Sequence, residues 1–117
     1  MLPKINRLRK TKDFEGVFKS KKGYFFSKEK ILIKVKKNNL ENSRFGFVVG
    51  RKVSKKATER NLIKRKLREA VRKNLPKIKK GIDVVIVVKP GFKENDFDRL
   101  IERIFKIAKI YDKKNNS

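Results

Sequence analysis

The sequence predicts a single-domain α/β fold, an αββαβα sandwich with helices packed on a small sheet. Three observations carry this. Tyr24–Val35 and Arg44–Gly50 have the composition of strands and are separated by an Asn-rich turn. Ser54–Asn74 repeats apolar residues at helical spacing, and Pro76 marks its end. Asp83–Val88 (DVVIVV) is almost continuously apolar, as suits a central strand buried on both faces, and an amphipathic segment follows it.

Residues 1–10 read as a basic, flexible arm. Thr11 is placed to cap a short helix over Lys12–Ser20, with Phe14, Val17 and Phe18 on one side. Lys21, Lys22 and Gly23 break that helix. In the first strand Ile31, Ile33 and Val35 alternate with Leu32 and Lys34. Asn38, Asn39 and Asn42 supply a turn, so the first two strands are expected to form an antiparallel hairpin. The long helix begins near Ser54 or Lys56. Its apolar stripe is Ile63, Leu67, Ala70 and Val71, and Leu62 lies roughly opposite it, exposed. Gly81 opens the turn into the central strand, which Pro90 and Gly91 end. Asn95 or Asp96 starts the last helix, with Phe97, Leu100, Ile101, Ile104, Phe105 and Ala108 on its buried side. The tail 112–117 is polar and expected to be frayed. With no internal repeat and no long linker, residues 1–117 make one domain.

Charge dominates the composition. Thirty-six Lys and Arg stand against twelve Asp and Glu, a net of +24. Solubility needs a magnitude of only about 2–8, and self-repulsion opposes compaction, so this surplus points to a polyanionic partner. The charge is also ordered. Arg51–Lys73 holds eleven Lys or Arg against Glu59 and Glu69, a local net of +9. Arg60, Lys64, Arg68 and Arg72 recur every four residues, with Asn61 and Arg65 beside them, and at helical spacing they share a face. A charged helix face is usually only solvated, but this one lacks the interspersed acids of a salt-bridged surface. Arginine can bind phosphate bidentately, and Asn61 can donate to a phosphate or read a base edge. Nucleic acid is therefore the leading partner, and composition does not separate DNA from RNA.

Other chemistry is poorly served. The chain has neither Cys nor His, so thiolate nucleophiles, disulfides, zinc fingers and the commonest general base are absent. No acid pair stands out, and a two-metal nuclease needs several converging carboxylates. Gly46 and Gly50 are not followed by the GK[ST] of a phosphate loop. The N-terminus has no apolar core of a secretory signal, and the longest apolar run, Val84–Val88, is far too short to span a membrane. A cytoplasmic protein with no membrane association is expected. Phe45 and Phe47 read as core. Phe14 and Phe18 are equally able to be core or to stack unpaired bases in a basic groove.

The segment Lys55–Glu69, KKATERNLIKRKLRE, resembles the signature helix of the bacterial ribonuclease P protein component. The resemblance covers nearly the whole chain, including LRKTKDFEGVF, RFGFVVGRKVSKKA and DVVIVVKPG. Ala57, Arg60, Asn61, Lys64, Arg65, Arg68 and Glu69 fit the family pattern. Leu62 stands where the third residue of its Arg-Asn-Arg hallmark is typically Arg, which removes one potential RNA contact.

The resemblance implies the protein subunit of a ribonucleoprotein that removes the 5′ leader from precursor tRNA, its catalytic centre in the RNA subunit with Mg2+ bound mainly there. It implies RNA-binding roles for Arg51, Lys52, Lys56, Arg60, Asn61, Lys64, Arg65 and Arg68, and no catalytic or metal-binding residue in the protein. A cleft between sheet and first helix would hold the single-stranded leader, with Phe14 and Phe18 at its aromatic positions and Lys34 at a strand site that is aromatic in some relatives. The expected partners are the catalytic RNA and precursor tRNA, with no obligate protein partner. It further implies a small mixed sheet with a left-handed βαβ crossover, the ribosomal protein S5 domain 2-like fold. A general RNA-binding or ribosome-associated protein and a stand-alone nuclease are the rival classes.

Overall fold

The protein, seen as a computed structural model, is described over residues 2–112. Three helices, α1 (Thr11–Phe18), α2 (Ala57–Asn74) and α3 (Phe97–Ile107), surround four strands, β1 (Gly23–Phe26), β2 (Ile31–Lys37), β3 (Arg44–Val49) and β4 (Ile82–Val88). The sheet order is β1-β2-β4-β3. β4 pairs antiparallel with β2 and parallel with β3, so the sheet is mixed and α2 is the crossover between two parallel strands.

Two expectations about the sheet are corrected. The stretch Tyr24–Val35 is not one strand. Ser27-Lys28-Glu29-Lys30 puts four polar residues in a row, which no strand face can bury, and the chain reverses there with Lys30 at φ 59. The hairpin is therefore β1–β2. The expected hairpin between the Ile31–Val35 and Arg44–Gly50 strands does not form, because β4 lies between them. Only β4 is buried along nearly its whole length on both faces, so it takes the centre and β3 goes to the edge.

Alternation on the strands makes two unequal cores. On one face Ile33, Val35, Phe45, Phe47, Val84 and Ile86 meet α2 and α3. From α2 come Leu67, Ala70 and Val71; from α3 come Leu100, Ile101, Ile104 and Phe105. The rings of Phe45 and Phe105 stack with centroids 6.0 Å apart. The apolar stripes of both helices thus fall where their periodicity puts them, and Asp96 caps α3 by accepting from the Arg99 N–H. A buried polar clasp closes this layer: the Tyr111 hydroxyl donates to Asn74 Oδ1 at 2.8 Å, and Asn74 Nδ2 donates to the Ala70 carbonyl at 2.8 Å.

The other face holds only a small core of Leu8, Val17 and Val85, under α1. Thr11 is the first helical residue rather than the cap; Lys10 takes the capping position without a side-chain bond, so the helix runs one residue ahead of its expected start and ends at Phe18. Residues 2–10, expected to be a free arm, lie against the sheet: Leu2 and Leu8 are buried, and the Leu8 N–H donates to the Phe45 carbonyl at 2.9 Å. At the other terminus, the Asp112 N–H is bonded to the Lys77 carbonyl; the rest of the expected frayed tail lies outside the described residues.

Candidate nucleic-acid interface

α2 docks by one side and displays the other. Leu67, Ala70, Val71 and Asn74 are buried, while Asn61 and Arg65 stand exposed, with Lys64 and Arg68 half-buried between. Arg51 and Lys52 project from the turn after β3, and Lys56 from the cap of the helix. Leu62 is 38% exposed.

The eight cationic or amide residues expected here do not play one part. Arg60 folds back and donates through Nη1 to the carbonyls of Ser54 and Lys55, at 2.9 and 3.0 Å. It thereby ties the entry turn to the helix that presents the other cations. Ser54 adds a hydrogen bond to the Glu59 carboxylate. Lys56 is 4.0 Å from Glu59, a distance that leaves its ammonium largely in solvent. Arg72, the last member of the four-residue series, is engaged by Glu69 with Nε to Oε1 at 2.9 Å, and hydrogen bonding to Arg72 is the largest of the causes that bring the Glu69 carboxyl down to about 2.

Arg68 belongs to a second group. It lines a cavity of about 290 Å³ together with Lys4, Arg7, Arg9, Phe14 and Gly46. Burial, and then the neighbouring Arg7 guanidinium, push its pKa below the usual arginine value. Two guanidiniums share a partly desolvated space, so an anion placed there is favoured by both. Lys4, Arg7 and Arg9 were not anticipated as site residues. Their charge was visible in the N-terminal composition, but nothing local to residues 1–10 shows that they meet Arg68.

On the same side of the sheet lies a shallow cleft beside α1. Phe14 is half-buried and crosses β3 so closely that a Cβ on Gly46 would lie 2.4 Å from its ring. Phe18, one turn on, is 41% exposed. Lys34 is half-buried on β2 and lies across its cross-strand partner Gly23, where a Cβ would come within 2.9 Å of its stem. The register adds a feature that no single segment reveals. Phe25, Leu32, Val87 and Val48 are successive partners across all four strands, and none is buried; Phe25 is 60% exposed. An apolar row thus crosses the sheet on the α1 side, half-covered where Val48 and Val87 pack against the small core and open at Phe25.

The fold and these surfaces define a small α/β domain that offers polyanions a cationic helix and an open apolar cleft. The sequence pattern of the Ribonuclease P family matches residues 2–112. The ribonuclease P protein component of Fusobacterium nucleatum is 40% identical over 91% of this chain and 99% of its own length. That of Synechocystis is 41% identical over 95% and 91%. Among solved structures, the RNase P protein of Staphylococcus aureus superposes with a TM-score of 0.77 at 25% identity, over 92% of this chain and 98% of that one. The Thermotoga maritima protein gives 0.70 at 36%, over 88% and 94%. The chain belongs to the ribonuclease P protein component family, and is thus part of the RNase P endoribonuclease.

Among the described residues no three His, Cys, Asp or Glu side chains gather to hold a metal ion, and no helix is long and apolar enough to cross a membrane.

Proposed function

We propose that the protein binds the catalytic RNA of RNase P through α2 and the turn before it, and holds the single-stranded 5′ leader of precursor tRNA in the cleft beside α1. Exposed Arg51, Lys52, Lys56 and Arg65, with half-buried Lys64 and Arg68, neutralise phosphates and release counterions, while exposed Asn61 donates to a phosphate or a base edge. Arg60 keeps the presenting helix start in place through Ser54 and Lys55. In the cleft, Phe14 and Phe18 offer ring faces to unpaired bases, and Lys34 supplies a cation beside them. The observation that carries this reading is the partly exposed row Phe25–Leu32–Val87–Val48, an apolar floor in a protein of net charge +24.

Mature tRNA lacks the leader, so grip on it favours substrate over product. Magnesium, which supports phosphodiester hydrolysis, is bound mainly through the RNA subunit in this reading, as membership of the family implies. The test is reconstitution: precursor and mature tRNA affinities are compared with the RNA subunit present and absent, for the parent chain and Phe18→Ala. Leader preference that falls in the folded variant is expected. Cleavage by protein alone, or equal affinity of the parent complex for both tRNAs, would replace this reading with one of its rivals.

A further inference from the structure

The opposite end of the sheet carries a second cavity, of about 260 Å³, which the reading above does not use. Its floor is aliphatic: Val35 near the end of β2, Ile82 at the start of β4, and Ile110 after α3, none more than 8% exposed. Its rim is cationic. Lys22, Lys37, Lys79 and Lys109 come from four separate segments. None of the four is in an ion pair among the described residues. Lys36 turns the other way, its ammonium lying 3.3 Å from where a Cβ on Gly16 would sit, so alternation along β2 gives Lys37 to this side.

Lys109 is in an unusual backbone. Its φ is 58, and it closes α3 with its own N–H on the Lys106 carbonyl and the Ile110 N–H on the Phe105 carbonyl. This is the Schellman closure, a position where glycine is the residue without steric penalty. A lysine there is strained, and strain retained at a cationic rim points to use.

We propose that this cavity is a second RNA site, taking one unpaired nucleotide with its base on the Val35–Ile82–Ile110 floor and its flanking phosphates against the lysines. The inference rests on the reading of the chain as RNA-binding but occupies a surface apart from α2 and the cleft. The arrangement of charge selects the occupant. A fatty carboxylate carries one anion at one end of its apolar body, whereas a phosphodiester strand carries an anion on both sides of every base. Lysines brought from four separate segments to one apolar floor match the second. As compact point charges they grip phosphate without fixing base identity, so the site is tolerant of sequence.

Methyl NMR of the full chain tests this during titration with a five-nucleotide oligouridine, reading Val35, Ile82 and Ile110 separately from Leu32 and Val87. Saturable shifts of the first group are expected. Lys37→Glu with Lys109→Glu, both at exposed positions, weakens that group's apparent affinity about tenfold and leaves the Leu32 and Val87 response intact. Lys109→Gly raises the melting temperature yet weakens the same response, a pairing that a merely structural lysine would not give. If Leu32 and Val87 titrate while Ile82 and Ile110 stay still, this site is wrong and the leader cleft stands. Silence in both groups sinks both. Shifts with dodecanoate but none with the oligonucleotide would make the cavity an amphiphile site and overturn the proposal.

Discussion

Arg44 and Asp83 stand directly opposite each other in the parallel β3–β4 register and close two hydrogen bonds, Nε to Oδ1 at 2.9 Å and Nη2 to Oδ2 at 2.7 Å. The remaining arm of the guanidinium reaches Asp13 of α1 at 3.3 Å. One side chain thus joins the sheet's centre, its edge and the helix that walls the cleft. The hydrogen bond it donates to Asp83, opposed by burial, raises the Arg44 pKa. Arg44→Met leaves Asp83 buried without its cation, and urea unfolding should show a loss of about 3 kcal/mol. Parental stability in that variant would mean that Asp83 finds another partner.

Gly46 is required by contact with Phe14 rather than by its backbone. A Cβ there would sit 2.4 and 2.5 Å from two ring carbons, so Gly46→Ala must move the ring. Stability is expected to fall by about 1–3 kcal/mol, with leader preference reduced in the protein that remains folded. Unchanged preference in a variant with a displaced ring, seen by aromatic NMR, would remove Phe14 from the leader site.

The Arg7–Arg68 cavity links folding to anions. Sulfate bound only by the native state should raise the melting temperature with concentration, by RT ln(1 + [L]/Kd) in free energy. Arg68→Met should blunt that rise, because it removes the partly desolvated cation whose charge Arg7 disfavours. A flat melting curve across the sulfate series would refute an anion site here.

Arg60 and Arg65 should separate by stability. Arg60→Ala breaks the bonds to Ser54 and Lys55 and should cost about 1 kcal/mol as well as weaken holoenzyme assembly. Arg65→Ala is expected to leave stability within about 0.5 kcal/mol while weakening assembly and cleavage at low magnesium. Wild-type cleavage across a magnesium titration in both variants counts against the α2 interface. So does a salt slope equivalent to about two or fewer neutralised phosphates.

Tyr111 gives the fold an alkaline limit. Burial, with Glu102 adding to it, pushes its phenol up to about 12. An unfolded chain releases that proton near pH 10, so unfolding between about pH 10 and 12 releases a proton and becomes easier as pH rises. The contribution is complete below about pH 10 and gone above about pH 12. Tyr111→Phe loses the bond to Asn74, about 1 kcal/mol at neutral pH, and the gap between the two proteins should narrow through that window. A constant gap would contradict the assignment.

The helices were legible because their evidence is local. Leu67, Ala70 and Val71, and likewise Leu100, Ile104 and Phe105, are buried by the same spacing that marks them in the chain. Strand pairing was not, because it joins residues far apart: Val48 meets Val87, and nothing near either one says so. The site divides in the same way. Asn61 and Arg65 declare themselves on one helix, whereas the apolar row and the Arg7–Arg68 meeting exist only once four strands and an N-terminal segment are assembled. Arg60 shows a further limit. Its charge is legible in the sequence, but the bonds of its Nη1 to the Ser54 and Lys55 carbonyls are not.

The order β1-β2-β4-β3 also bears on synthesis. The strand that binds β2 to β3 is the last to be made, after the whole of α2. Until Ile82–Val88 has left the ribosome, β3 lacks its hydrogen-bonding neighbour and α2 has only part of a sheet to lie on. A nascent chain stopped at Gly81 therefore exposes its cations on an unfinished scaffold. The cationic face of α2 gains its full support only after β4 has emerged, although its own residues are translated earlier.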